Sequence, residues 1–199
     1  MSSRTKAKGI FCIESGDWWS DLRKSSTVKP ILNVLQQEGY HNIPHRTAYT
    51  EEEFDAYIRL WSLKKIANYP ILYLAMHGES KELRFEDSSI SLKELGAKLA
   101  GKCRGRVIYL SACETMNCDR RELRTFLKTT EALVVCGYSV SVDWLESVAF
   151  ELAFFSDIQK NVFQRNGMEA VRRRMLPFAK SFGKHLDSFE FRMEVHPGY

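Results

Sequence analysis

At 199 residues, with 44% apolar side chains and a net charge of +4, the chain has ample material for one cored domain and no strongly basic or acidic bias. Part of the excess charge sits in Arg172-Arg173-Arg174. Without aromatic interleaving, this triplet reads as a solvated helix face, and no nucleic-acid partner is expected. No apolar run approaches a membrane span and Met1 to Lys6 carries no signal-peptide core, so a cytoplasmic chain without membrane contact is expected.

In chain order, Gly9 to Ile13 reads as a first buried strand. A polar stretch from Glu14 to Ser26 follows, holding Asp17, Trp18, Trp19 and Arg23; the paired tryptophans form either a lid or part of the core. Ser26 then caps a helix with Val28, Ile31, Leu32 and Leu35 on one face, closed by Gly39. Tyr40 to Ala48 is a weaker strand, interrupted at Pro44 and so expected near an edge. Thr50 opens a helix with Glu51 to Glu53 in its first turn, where the dipole favours acids, and Phe54, Tyr57, Ile58 and Trp61 as its apolar stripe.

Pro70 to Gly78 is a continuous apolar run that ends in His77-Gly78, the pattern of a strand buried on both faces. Leu83 to Asp87 reads as one arm of a small hairpin. Ser91 and Glu94 form a capping box ahead of Leu92, Leu95 and Leu99, with Gly101 closing the helix. Arg106 to Glu114 is a second continuous run, ending in Cys113. Asp119 and Glu122 start a helix carrying Leu123, Phe126 and Leu127, and Ala132 to Cys136 is a further strand running into Gly137-Tyr138. Trp144 to Ile158 is predicted helical with Leu145, Val148, Ala149, Leu152 and Phe155 inward. Met168 to Leu186 is the last helix, with Val171, Met175, Phe178 and Phe182 aligned, and Phe189 to Val195 alternates as a half-buried edge strand. The alternation of strand and helix predicts one α/β domain over residues 1–199, a three-layer sandwich whose mostly parallel sheet has helices on both faces.

The cysteines are Cys12, Cys103, Cys113, Cys118 and Cys136. An odd number without a secretory signal argues against a disulfide framework, and no second Cys/His pair complements Cys113 and Cys118, so neither metal nor cofactor is expected. Four of the five read as small buried hydrophobes. Cys113 differs because it and His77 end successive buried strands, which as parallel neighbours would meet at the sheet's carboxyl edge, where sites form in open α/β sheets. Taken singly, each residue reads as structural. Together, flanked by the small residues Gly78, Ser111 and Ala112, they make a nucleophile and base pair: an imidazole raises the thiolate fraction or takes the thiol proton during attack. The backbone N–H groups of Gly78 and Cys113 are the candidate oxyanion donors, and His77 would protonate the leaving amine. No third carboxylate is evident, so a backbone carbonyl is expected to orient the imidazole.

Met76-His77-Gly78 and Leu110-Ser111-Ala112-Cys113-Glu114-Thr115 resemble the His-Gly and Ser-Ala-Cys motifs of CHAT-domain proteases, caspase-like peptidases of clan CD related to caspases and separases. Gly137-Tyr138-Ser139 and Val142 to Ser147 resemble that family's segment after the next strand. The resemblance implies a caspase-like sandwich and an endopeptidase acting on a protein or peptide substrate, with His77 as general base and acid and Cys113 as nucleophile. It implies specificity elements at Asp17 to Arg23, at Ser111, and from Ser139 to Trp144. Asp143 suits a basic P1 side chain (the residue before the scissile bond) or the N-cap of the following helix; Arg23 suits an acidic one. Caspases carry Gln-Ala-Cys-x-Gly with the histidine about 50 residues upstream. Here the context is Ser-Ala-Cys-Glu-Thr and the separation is shorter, so cleavage after aspartate is not implied.

CHAT-type proteins resemble bacterial defence and cell-death components held inactive until a partner or cleavage releases them. With no sensor repeats attached, a separate regulatory protein is expected, in antiviral defence. Three other readings compete. A catalytically silent caspase-like binding or scaffold module is the first. A flavodoxin-like nucleotide binder is disfavoured by the single glycine in Glu14-Ser-Gly-Asp-Trp-Trp. Another cysteine hydrolase, such as an amidase, is the third.

Overall fold

Continuous apolar runs make strands that must be covered on both faces, and the amphipathic segments between them supply the cover. The structure is a computed structural model and describes residues 8–15, 27–37, 43–184 and 189–198. Strand β1 (Ile10–Ser15) is followed by α1 (Lys29–Gln37), β2 (His45–Ala48), α2 (Glu51–Trp61) and β3 (Ile71–Ala75). Three short strands come next, β4 (His77–Glu79), β5 (Glu82–Arg84) and β6 (Ser89–Ser91), then α3 (Leu92–Lys98) and β7 (Val107–Ser111). The chain continues through α4 (Arg120–Thr130), β8 (Val134–Tyr138), α5 (Trp144–Gln159), α6 (Arg165–Gly183) and β9 (Phe191–Val195).

Among the described residues, six strands form one sheet in the order β2-β1-β3-β7-β8-β9, parallel except for β9, which runs antiparallel to β8. Alternate side chains divide it into two apolar layers. On one face Cys12, Tyr73, Tyr109 and Cys136 pack beneath α1, α5 and α6. On the other, Phe11, Leu72, Leu74, Ile108 and Leu110 pack beneath α2, α3 and α4. This is the predicted three-layer α/β arrangement. The strand order reverses between β1 and β3, so the crevice expected of such sheets lies at the carboxyl ends near β3.

Local signals set the helix starts. Thr50 accepts from the Glu53 N–H, Ser91 and Glu94 make the full capping box, and Asp119 accepts from the Glu122 N–H. Ser26 and Gly39, expected at the ends of the first helix, lie outside the described residues, as do Asp17, Trp18, Trp19 and Arg23.

Several elements differ from expectation. The strand in the run from Pro70 ends at Ala75, and after the buried Met76, His77 begins β4, first strand of a small antiparallel sheet ordered β4-β5-β6. Its β4–β5 turn has Ser80 and Lys81 at φ of 47° and 77°, the two positive values of a tight type I′ hairpin. Helix α5 is rotated from its expected setting: Ser147, Phe150, Glu151, Phe154, Phe155 and Ile158 face inward, whereas Leu145 is 67% exposed and Ala149 is exposed. The segment is apolar nearly all round, so periodicity does not choose its face. Phe178 of α6 is likewise exposed and stacks on Phe150, with ring centroids 5.8 Å apart. Strand β9 is at the sheet edge as expected, but its Glu194 is buried, held by Arg120 at 2.9 Å and Arg124 at 3.3 Å. Among the described residues, no helix is long and apolar enough to cross a membrane.

Candidate active site

Strands β3 and β7 are parallel neighbours in register, with Leu74 opposite Leu110 and Ala75 opposite Ser111. His77 and Cys113 each lie two residues past the last pair, so the pairing delivers both to one edge. The Met76 N–H donates to the Ser111 carbonyl at 3.1 Å and extends the contact. Gly78 shows how closely the chains then pass. A Cβ at that position would lie 2.2 Å from the Cys113 carbonyl oxygen and 2.9 Å from its nitrogen. Backbone rests on backbone there, and only glycine leaves the space.

His77 and Cys113 line a common cavity of about 250 Å³. The imidazole is exposed and the thiol half-buried. Met76, Val142, Trp144 and Val148 also line it, as do the buried Ser111, Tyr138 and Glu151. The segment between β8 and α5 lies across the sulfur. The Val142 N–H donates to Cys113 Sγ at 3.5 Å and the Ser141 hydroxyl at 3.7 Å; with its proton on, the thiol reaches the Val142 carbonyl at 3.8 Å. The turn after Cys113 is tightly tied. Glu114 has a φ of 57°, its N–H donates to the Val140 carbonyl, and the Thr115 hydroxyl donates to the Ala112 carbonyl at 2.9 Å.

The other four cysteines are buried. Burial pushes the Cys12 and Cys136 thiols well up, Cys103 to about 12, and Cys118 upward as well. These thiols stay protonated and unreactive near neutrality. Cys113 alone among the five joins partial exposure to a cavity shared with a histidine.

Ser111 is buried, and its hydroxyl points inward to Glu151 Oε1 at 2.6 Å. Asp143 lines the cavity and also caps α5, its Oδ1 accepting from the Leu145 N–H at 2.8 Å and the Glu146 N–H at 3.2 Å. Ser139 is turned elsewhere: it is buried, its N–H donates to the Glu190 carbonyl at 3.1 Å, and the cavity walls do not include it. Asp17 and Arg23 fall outside the described residues.

The sequence reading missed Glu151. This carboxylate is 1% exposed on the inward face of α5. Its Oε1 accepts from Ser111 and, at 3.0 Å, from the Tyr138 hydroxyl; Oε2 accepts from the Tyr73 hydroxyl. The Tyr109 and Tyr138 hydroxyls are 3.1 Å apart and extend the group. Burial raises the Glu151 carboxyl to about 7, against the opposing pull of these hydroxyl donors. Burial also pushes the three phenols well above their ordinary range, so they remain donors. The available signal was a lone glutamate in the apolar run Phe150-Glu-Leu-Ala-Phe-Phe155. Trp144 lines the same cavity, and among the described residues its buried indole N–H has no hydrogen-bond partner.

Among the described residues, no group of three or more His, Cys, Asp or Glu side chains is placed to hold a metal ion.

The architecture has solved counterparts. One, titled "structure of pro-sf-caspase-1", aligns with a TM-score of 0.57 at 11% identity, over 96% of this chain and 92% of that one. Caspase-1 from Spodoptera frugiperda aligns with a TM-score of 0.56 at 12% identity, over 96% and 89%. The fold is therefore caspase-like, and at this identity the likeness extends to the fold alone. No curated protein matches the chain in sequence. Residues 7–192 match the family described as "Family of unknown function (DUF6642)", and the chain belongs to that family.

Proposed function

We propose that the chain is a caspase-like cysteine endopeptidase of the CHAT type, with Cys113 as nucleophile and His77 as general base and acid. The observation that carries this is the convergence of both side chains on one cavity at the carboxyl edge of β3 and β7. The contact of Gly78 with the Cys113 backbone supports the same reading. In the first step His77 takes the thiol proton and sulfur bonds to the scissile carbonyl carbon, whose oxygen becomes the oxyanion. The Gly78 and Cys113 N–H groups are its donors in this scheme. Collapse breaks the C–N bond, and the proton held by His77 passes to the departing amine. Water, deprotonated by His77, then cleaves the thioester and restores the thiol. Ser111 and Asp143 remain candidates for substrate contact. The substrate is a protein, the setting cytoplasmic bacterial defence, and a separate protein controls activity; these rest on the motif resemblance.

The test is a panel of peptidyl electrophiles applied to the wild type, Cys113→Ala and His77→Ala, with adducts located by mass spectrometry. An adduct at Cys113 that requires His77 is expected. Equal labelling of Cys118 or Cys136, or labelling of Cys113 indifferent to His77→Ala, overturns the reading. A second reading, a caspase-like binding module with a closed site, draws on Ser141 and Val142, which rest against Sγ. It predicts no peptidyl adduct under any activating condition.

A further inference from the structure

The peptidase reading leaves unexplained why a carboxylate is buried beneath the cavity that holds Cys113. Glu151 is 1% exposed, and among the described residues its hydrogen bonds come from hydroxyl groups, not from a lysine or arginine. A buried carboxylate without a cation costs several kcal/mol relative to water, even when hydroxyls offset part of it. An apolar residue of similar size would avoid that cost. Ser111, Tyr138, Tyr73 and Tyr109 supply hydroxyl donors to it, and among the described residues none of its donors is a cation.

The cavity above it is graded. Its lining runs from the exposed His77 and half-buried Cys113, through the apolar Met76, Val142, Trp144 and Val148, to the buried Ser111, Tyr138 and Glu151. An apolar shaft with an acidic end matches an amphipathic side chain: an aliphatic stem along the walls and a cationic head below. The indole of Trp144 adds a π-face in the same wall. The second carboxylate of the lining, Asp143, adds negative charge near the mouth.

We propose that Glu151 is the floor of a specificity pocket beside Cys113 and selects peptides with lysine or arginine before the scissile bond. This rests on the peptidase reading and assigns it a substrate class. Ser111, two residues before the nucleophile, is then a positioning residue that orients the Glu151 carboxylate and does not contact the scissile bond. Because burial raises this carboxyl to about 7, a bound cation also draws it into its ionised form, and recognition strengthens as pH rises through neutrality.

Two measurements on the full chain test the proposal. The first needs no peptidase activity. Alkylation of Cys113 by iodoacetamide is followed by mass spectrometry with benzamidine, or with its neutral analogue benzamide, at equal concentration. Benzamidine should slow alkylation at least about fivefold more than benzamide, and the difference should vanish in Glu151→Gln. Equal protection by the two compounds in the wild type overturns the proposal without any variant. The second compares peptidyl electrophiles that differ only at P1. Lysine and arginine reagents should label Cys113 at least about tenfold faster than leucine or aspartate reagents, with the preference lost in Glu151→Gln. Faster labelling by the leucine or aspartate reagent overturns the proposal but leaves the peptidase reading standing. Benzamidine protection without His77-dependent peptidyl labelling keeps the cationic pocket and removes the peptidase.

Discussion

On one face of the sheet, Leu72, Leu74, Ile108 and Leu110 meet α2, α3 and α4 through apolar side chains. On the other, Tyr73, Tyr109, Ser111 and Tyr138 turn hydroxyls toward Glu151 and toward one another. The same strands supply both sets, since successive side chains point to opposite faces. The first face gains stability from burial at roughly 25 cal/mol per Å² of apolar area. The second spends some of that gain on desolvating a carboxylate. The polar face is also the one that opens into the cavity of His77 and Cys113. The apolar core and the candidate site are thus divided between the faces of a single sheet.

The strongest break of this contrast is Leu110→Ala on the apolar face. The residue is fully buried, and the loss should be about 2–5 kcal/mol, seen as a lower urea midpoint that is the same across pH 5 to 8. Glu151→Gln tests the other face through pH. A buried carboxyl at about 7, against an ordinary 4.5, is protonated in both the folded and unfolded states at low pH, where its contribution is fully present. As pH rises from 4.5 toward 7 the unfolded chain ionises this group while the folded state keeps it protonated, so about 3 kcal/mol is lost across that window and little more above it. The wild-type urea midpoint should therefore fall from pH 5 to pH 8 by more than that of Glu151→Gln. A parallel fall in both proteins would remove Glu151 as the titrating group.

Tyr73→Phe sharpens the same comparison. It removes one charge-assisted hydrogen bond, so about 2 kcal/mol should be lost at pH 8, and the Glu151 titration should move further up. At pH 5, where the carboxyl is protonated, the loss should be smaller. The smallest effect is expected at the edge of the polar face. Asp143→Ala should cost about 1 kcal/mol through loss of the α5 cap, and Asp143→Asn should restore most of it. Thermal melts resolve both.

Much of this architecture is legible in order. The continuous runs at Pro70 and Arg106 announce strands covered on both faces, and Thr50, Ser91 and Asp119 mark helix starts through side chains that bond their own first turns. Those signals are local, so neighbouring residues suffice to read them. The pairing of His77 with Cys113 at one edge follows from adjacent parallel strands, and the register of β3 with β7 bears out that adjacency. The sequence offers Gly78 as an oxyanion donor through its N–H. The structure adds a steric reason for glycine there, a backbone crossing over Cys113 that no larger residue permits.

Order along the chain therefore carries the strands, the caps and the two candidate catalytic side chains, because each depends on short-range spacing. It does not carry the rotation of α5, whose apolar residues surround the helix and leave several faces equally hydrophobic. That rotation is set by how Phe150, Phe154 and Phe155 interlock with Tyr109, Tyr73 and Phe191, side chains from three other elements. Once they interlock, Glu151 has no outward option and comes to rest under Ser111, while Ser139 is drawn away toward Glu190. Packing across the layers, not spacing along the chain, puts a carboxylate beneath the cysteine.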